Sequence, residues 1–156
     1  MRIGPLSFDT IFVYFILLSE PITGTIGLEM YSQLKEPLDV VIIPVGGGGL
    51  ISGIATFVKS VWPDVKIVAA EPKAVDDCKV SFEARRRIVT EKEYTVCDGV
   101  RTNIGKNAWP LIQQLVDQVI TVSDSQVAKG LILPLPNNLF TKNFERFFEP
   151  FLIFFL

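Results

Sequence analysis

The chain has 156 residues, with 15 Lys and Arg against 17 Asp and Glu, a net charge of −2, and no histidine. That length allows one domain with a sizeable core. The charge argues against a general nucleic-acid or anionic-membrane partner, and the lack of histidine excludes His-based triads, His metal sites and His general bases. The two cysteines, Cys78 and Cys97, are too few for a disulfide-framed module or a four-thiolate zinc site, so a reduced, cytoplasmic setting is expected.

Residues 1–20 form an apolar segment around the run Ile11-Phe12-Val13-Tyr14-Phe15-Ile16-Leu17-Leu18. Eight residues cannot span a bilayer as a helix, which needs about 20. The run fits a buried strand or helix, or the core of a secretion signal with Arg2 as its positive flank. Asp9 at its edge and the lack of a small-x-small cleavage site favour the buried element.

Residues 21–130 read as an α/β domain. Thr23 or Thr25 can cap a helix running to about Glu36, with Ile26, Met30 and Leu34 on one face, ended by Pro37. Asp39, which suits a turn before a strand, opens Val40-Val41-Ile42-Ile43-Pro44-Val45, a β-branched run suited to a strand buried on both faces of a parallel sheet. Pro44 marks its approaching end. Four glycines follow, then a helix with Leu50, Ile54, Phe57, Val58, Val61 and Trp62 on one stripe. Pro63-Asp64 turns the chain into the strand Val65-Lys66-Ile67-Val68-Ala69-Ala70. Strand, glycine loop, helix and strand make a βαβ unit with a parallel pair and a right-handed crossover.

Residues 72–106 are polar and irregular, with a short helix expected over 81–87 and Arg85, Arg86 and Arg87 on its solvated face. Pro110 suits the first turn of a helix with Leu111, Ile112, Leu115 and Val116 inward. Gln118-Val119-Ile120-Thr121-Val122 is a third strand. Ser123 and Gln126 form a capping box for a last helix that Pro134 stops. Residues 131–156 form a tail with no steady period and hold seven of the 12 phenylalanines.

The glycine run is the most informative feature. Without Cβ atoms a backbone can approach a ligand closely. The amides opening the next helix lie at the positive end of its dipole, so the junction suits a phosphate. Gly48-x4-Gly53 is followed by Ile54-Ala55, which excludes a Walker A loop. Gly46-x-Gly48 is followed three residues on by Ile51, so the dinucleotide fingerprint fails as well. Glu71, at the end of the next strand, stands where a ribose-binding acid would be and keeps open a non-catalytic nucleotide- or phosphate-binding module.

Pro44-Val45-Gly46-Gly47-Gly48-Gly49-Leu50-Ile51-Ser52-Gly53-Ile54-Ala55 resembles the phosphate loop of fold-type II pyridoxal-phosphate enzymes, within them the serine/threonine dehydratase and serine racemase group. Gly24-Thr25-Ile26-Gly27-Leu28-Glu29, Ala69-Ala70-Glu71-Pro72, Asp76-Asp77-Cys78, Asp98-Gly99-Val100, Ile104-Gly105 and Trp109-Pro110 match in order and spacing. The resemblance covers about residues 24–126. It implies part of the three-layer αβα parallel sheet of the tryptophan synthase beta-like fold. It also implies that Gly46, Gly47, Gly48, Gly49 and the amide of Leu50 cradle the phosphate of pyridoxal 5'-phosphate. Some members hold a divalent cation, and the matching positions are the carboxylates of Glu71 and Asp77 and the carbonyl of Val75. All are oxygen donors, which suit Mg²⁺ or Ca²⁺. The same acids read from sequence alone are solvated loop residues. Gly99 either lets the chain pass close to the cofactor ring or simply turns it. Cys78 and Cys97 read as buried, unreactive thiols.

The implied activity is dehydration of serine or threonine, or racemisation of serine, on a small-molecule amino acid. Complete members are expected to be homo-oligomers. The family's Schiff-base lysine lies in a Ser-x-Lys-x-Arg-Gly motif, and none of the nine lysines here has that context. The Ser-x-Gly-Asn-His loop and the stretch that partners the pyridine nitrogen are also not found. No residue of this chain is therefore assigned a catalytic role. The composition break at both ends leads us to expect an incomplete gene reading rather than a truncated homologue with a binding role.

Overall fold

β-Branched residues set the centre of the molecule. In the computed structural model, which describes residues 24–34, 36–91, 93–132 and 151–153, strands β1 (Val40–Pro44) and β2 (Lys66–Pro72) pair in parallel with Val41 opposite Ile67 and Ile43 opposite Ala69. Strand β3 (Gln118–Val122) pairs in parallel on the far side of β2, and β4 (Phe151–Ile153) on the far side of β1. The order is β3-β2-β1-β4. The expected parallel α/β sheet is thus observed. Strand β4 lies in the tail, where the sequence carries no strand periodicity. The segment expected over residues 1–20 and most of the tail lie outside the described residues.

Helix α1 (Gly24–Gln33) starts where expected and ends before the expected Glu36, and helix α2 (Gly49–Val61) follows the glycine run as expected. Next come a 3₁₀ turn (Lys73–Val75), α3 (Asp77–Ala84), a second 3₁₀ turn (Asp98–Val100), α4 (Ala108–Leu115) and α5 (Asp124–Ile132). The core lies on one face of the sheet. There Val41, Ile43, Ile67, Ala69 and Val119 meet Ile51, Ile54 and Val58 of α2 and Ile112 of α4. Alternate residues of β1 (Val40, Ile42, Pro44) are only half-buried, whereas the expectation was burial on both faces.

One polar tie joins the layers, and one local motif starts a helix. Asp117 accepts the Ile67 N–H at 2.7 Å and pairs with Lys59 of α2 at 2.9 Å, so one carboxylate joins a helix to the sheet. The capping box at α5 is reciprocal. Gln126 N–H donates to Ser123 Oγ at 3.3 Å, and Ser123 N–H donates to Gln126 Oε1 at 2.8 Å.

The helix expected over residues 81–87 is displaced to α3 (Asp77–Ala84). Its first-turn amides, Cys78 and Lys79, donate to the Glu71 carboxylate at 3.1 and 2.7 Å. A cap reaching back across the turn after β2 starts the helix early, and no local pattern announces it. At its end Arg85 adopts a left-handed φ of 55° and breaks the helix. The three arginines therefore do not share a helix face.

Gly27 lets α1 and α2 pack closely. A Cβ there would stand 3.1 Å from Phe57 Cβ. Gly27→Val should overpack this contact and lower stability by about 1–3 kcal/mol, read as a shifted urea midpoint. Leu28→Val, on the exposed side of α1, should leave the midpoint nearly unchanged.

Candidate functional site

The carboxyl ends of β1, β2 and β3 share one edge of the sheet, the edge where open α/β folds place ligands. At β1 the chain runs through Val45, whose N–H still bonds the Ala70 carbonyl at 2.9 Å, into Gly46, Gly47, Gly48 and Gly49. Gly48 is the N-cap of α2 with φ +89°. A Cβ at Gly48 would meet Ala108 Cβ at 2.8 Å and Ile112 Cδ1 at 2.9 Å, so both conformation and space demand glycine. A Cβ at Gly46 would stand 2.9 Å from Val100 Cα. The loop therefore lies directly on the 100–105 segment, and Gly105 N–H holds the Gly47 carbonyl at 2.8 Å.

The Ser52 N–H bonds the Gly48 carbonyl at 3.0 Å. The amides of Leu50 and Ile51 precede it in the first turn, at the positive end of the α2 dipole. Gly47 is exposed. The five residues expected to cradle a phosphate thus form one continuous strand-to-helix junction, with a fixed backbone and an open face.

At β2 the structure brings Glu71 and Asp77 together at the start of α3. Each is only 2 % exposed, so neither is the solvated loop acid that the sequence alone allowed. Glu71 caps α3, and Asp77 Oδ2 accepts the Ile104 N–H at 2.8 Å. Val75 is buried in the 3₁₀ turn between them. Among the described residues no group of three or more His, Cys, Asp or Glu could hold a metal. Any cation here would rest on the two carboxylates and a backbone carbonyl.

Burial pushes the Glu71 carboxyl up to about 8. The amides of Lys79 and Cys78 pull it back, and the nearby Asp77 and Asp76 raise it further. Burial also pushes the Cys78 thiol well above its ordinary range, with Glu71 and Asp77 adding to the effect. Cys78 is therefore an inert core thiol, as expected. Because Glu71 is buried and spends both oxygens on helix amides, it is not presented to a ribose hydroxyl, which removes the observation behind the nucleotide reading.

The Asp98–Val100 turn passes beside the loop, but a Cβ at Gly99 would touch nothing within 4 Å. Among the described residues, close approach of protein atoms is required of Gly46, while the space beside Gly99 is open. Two residues at the site had no role assigned from sequence. Gly105 anchors the loop. Arg87, read as solvated, donates from Nε to the Ile104 carbonyl at 2.6 Å.

Residues 19–133 match the family model described as pyridoxal-phosphate dependent enzyme. The chain belongs to this family. It is 40 % identical over 108 residues to a serine racemase of Arabidopsis thaliana, covering 69 % of this chain and 32 % of that one. It is 43 % identical over 105 residues to a serine racemase of Homo sapiens, covering 67 % and 31 %. Among solved structures, maize serine racemase superposes with a TM-score of 0.67 at 40 % identity, covering 70 % of this chain and 34 % of that one. A threonine deaminase of Solanum lycopersicum gives a TM-score of 0.62 at 38 % identity, covering 65 % and 29 %. The chain spans about a third of the length of the serine racemases it matches. No helix among the described residues is long and apolar enough to cross a membrane.

The raised pKa of Glu71 has a definite sign in stability. From pH 4.5 to about 8 the unfolded chain releases a proton that the folded chain keeps. In a chelating buffer, stability should fall as pH rises through that window and level off above it. Urea melts should show this decline in the wild type and a flatter profile in Glu71→Gln.

Proposed function

We propose that this chain supplies the cofactor-phosphate site of a pyridoxal-phosphate enzyme acting on serine or threonine, as a dehydratase or a serine racemase. The geometry of the glycine junction carries this reading. A left-handed Gly48, a close-packed Gly46 and the first-turn amides of α2 form a rigid anion seat at the sheet edge. Residues 46–49 and the Leu50 amide would hold the phosphate, and residues 21–130 would form the cofactor-binding unit.

When bound, pyridoxal phosphate supplies an electron sink for negative charge developing at the substrate α-carbon. The residues identified here act by binding and orienting. The loop fixes the phosphate, and the α2 dipole opposes its charge. The backbone amides and glycines of this junction carry no titratable side chain that could take a proton.

We further propose that Glu71, Asp77 and the Val75 carbonyl hold Mg²⁺ or Ca²⁺. Two buried carboxyl groups, with Asp77 raising the proton affinity of Glu71, suit a hard divalent ion, which would replace repulsion with attraction.

Two measurements test these readings. Pyridoxal phosphate should bind the purified chain and be displaced by inorganic phosphate, while NAD should not bind. Gly48→Ala, strained at φ +89°, should abolish the binding. NAD binding that survives added pyridoxal phosphate would overturn the assignment. For the metal, Mg²⁺ or Ca²⁺ at a hundredfold excess over Kd should stabilise the fold by about 2.7 kcal/mol. Asp77→Asn keeps an acceptor for the Ile104 amide but loses the charge, and should remove that gain. Melting curves that do not respond to either ion would count against the site.

A further inference from the structure

Each residue other than proline carries one backbone donor and one backbone acceptor. In an irregular segment both usually go to backbone or water. At Ile104 both go to ionisable side chains. Its N–H donates to Asp77 Oδ2 at 2.8 Å, and its carbonyl accepts from Arg87 Nε at 2.6 Å. The Ile104 side chain is fully buried. Charge-assisted bonds on both sides of one residue, with its side chain locked in the core, make Ile104 a fixed point in a segment that lacks regular structure.

That fixed point is one residue from the phosphate loop. Gly105 N–H donates to the Gly47 carbonyl at 2.8 Å, and a Cβ on Gly105 would stand 3.3 Å from the same oxygen. The Gly105 carbonyl in turn accepts the Trp109 N–H at 3.1 Å as α4 begins. Ala108 and Ile112 of α4 are the side chains that back Gly48. A shift of Ile104 would therefore be felt at Gly47 directly and at Gly48 through α4.

Arg87 is itself held for this task. The chain leaves α3 through the left-handed Arg85 and is stitched down by Ile88, whose N–H donates to Ser81 Oγ at 2.8 Å. Thr90 and Asn103 exchange hydrogen bonds at 3.3 Å, which aligns the stretch after Arg87 with the stretch before Ile104. Arg85 and Arg86 are exposed while Arg87 is half-buried.

We propose that Arg87 is a positioning residue for the phosphate loop. It holds the Ile104 carbonyl so that Gly105 keeps Gly47 in place and the α2 amides stay aimed at one point. This rests on the reading that the glycine junction binds a phosphate.

The test uses the full chain with inorganic phosphate as the probe. Phosphate affinity is measured by calorimetry, and amide hydrogen exchange is followed at Gly105 and at Ile43 in β1. Arg87→Met keeps the aliphatic stem and removes the donor. It should weaken phosphate binding about tenfold, the scale seen when a group that orients first contacts is lost. Exchange at Gly105 should speed up while Ile43 stays protected. Arg87→Lys should recover part of the affinity, and Arg86→Met should match the wild type. Unchanged affinity and unchanged Gly105 exchange in folded Arg87→Met would overturn the proposal. So would a rise in exchange at Ile43 equal to that at Gly105, because the role would then be general stability. If the wild type takes no phosphate, the phosphate reading falls on its own, and the clamp is judged by Gly105 exchange alone. If Arg87→Met does not fold, the same two readings on Arg87→Gln decide the matter.

Discussion

Gly48 reverses the backbone handedness for one residue at the point where β1 becomes α2. With φ at +89° and two side chains of α4 where a Cβ would lie, no other residue fits without displacing a helix. The reversal aims the first turn of α2 outward over the sheet edge. It also leaves Gly47 with a carbonyl that needs a donor, and Gly105 supplies it. The 100–105 segment is thereby fixed against the loop, and α4, which starts immediately after it, is fixed against α2. Much of the candidate site follows from this contact.

The sequence displayed this part of the fold openly because its signals are local. A β-branched run, four glycines and an apolar stripe at helical spacing lie within 22 residues of Val40. The capping box of Ser123 and Gln126 was equally legible, since both partners lie within one turn. What stayed hidden depends on partners distant in the chain. The start of α3 is set by Glu71 across a turn, so the pattern alone placed the helix four residues late. Arg87 sits in a run of three arginines, and only the path of the chain after Arg85 singles it out. The burial of Glu71 was also illegible, because an acid at the end of a strand is normally solvated.

Glu71 and Asp77 show how a small fold uses buried carboxyl groups as structural elements. Each carboxylate accepts backbone amides of a segment that would otherwise start or cross without a partner, at α3 for Glu71 and at Ile104 for Asp77. Burial makes ionisation of Glu71 unfavourable, and the amides only partly offset it. These two acids tie the end of β2 to the segment that supports the glycine loop, so the two candidate sites share one scaffold.

The four glycines have a thermodynamic consequence. Glycine loses more backbone freedom on ordering than any other residue. A loop of four, left to itself, would present an incoming ligand with a large entropic penalty, and association would be correspondingly weak. Here the ordering is done by the protein. Val100 and Gly105 hold Gly46 and Gly47 from below, and Ala108 and Ile112 wall in Gly48, before any ligand arrives. The penalty is therefore charged to folding rather than to association. The same residue type that allows the backbone to approach an anion so closely would, without that support, make the approach unprofitable.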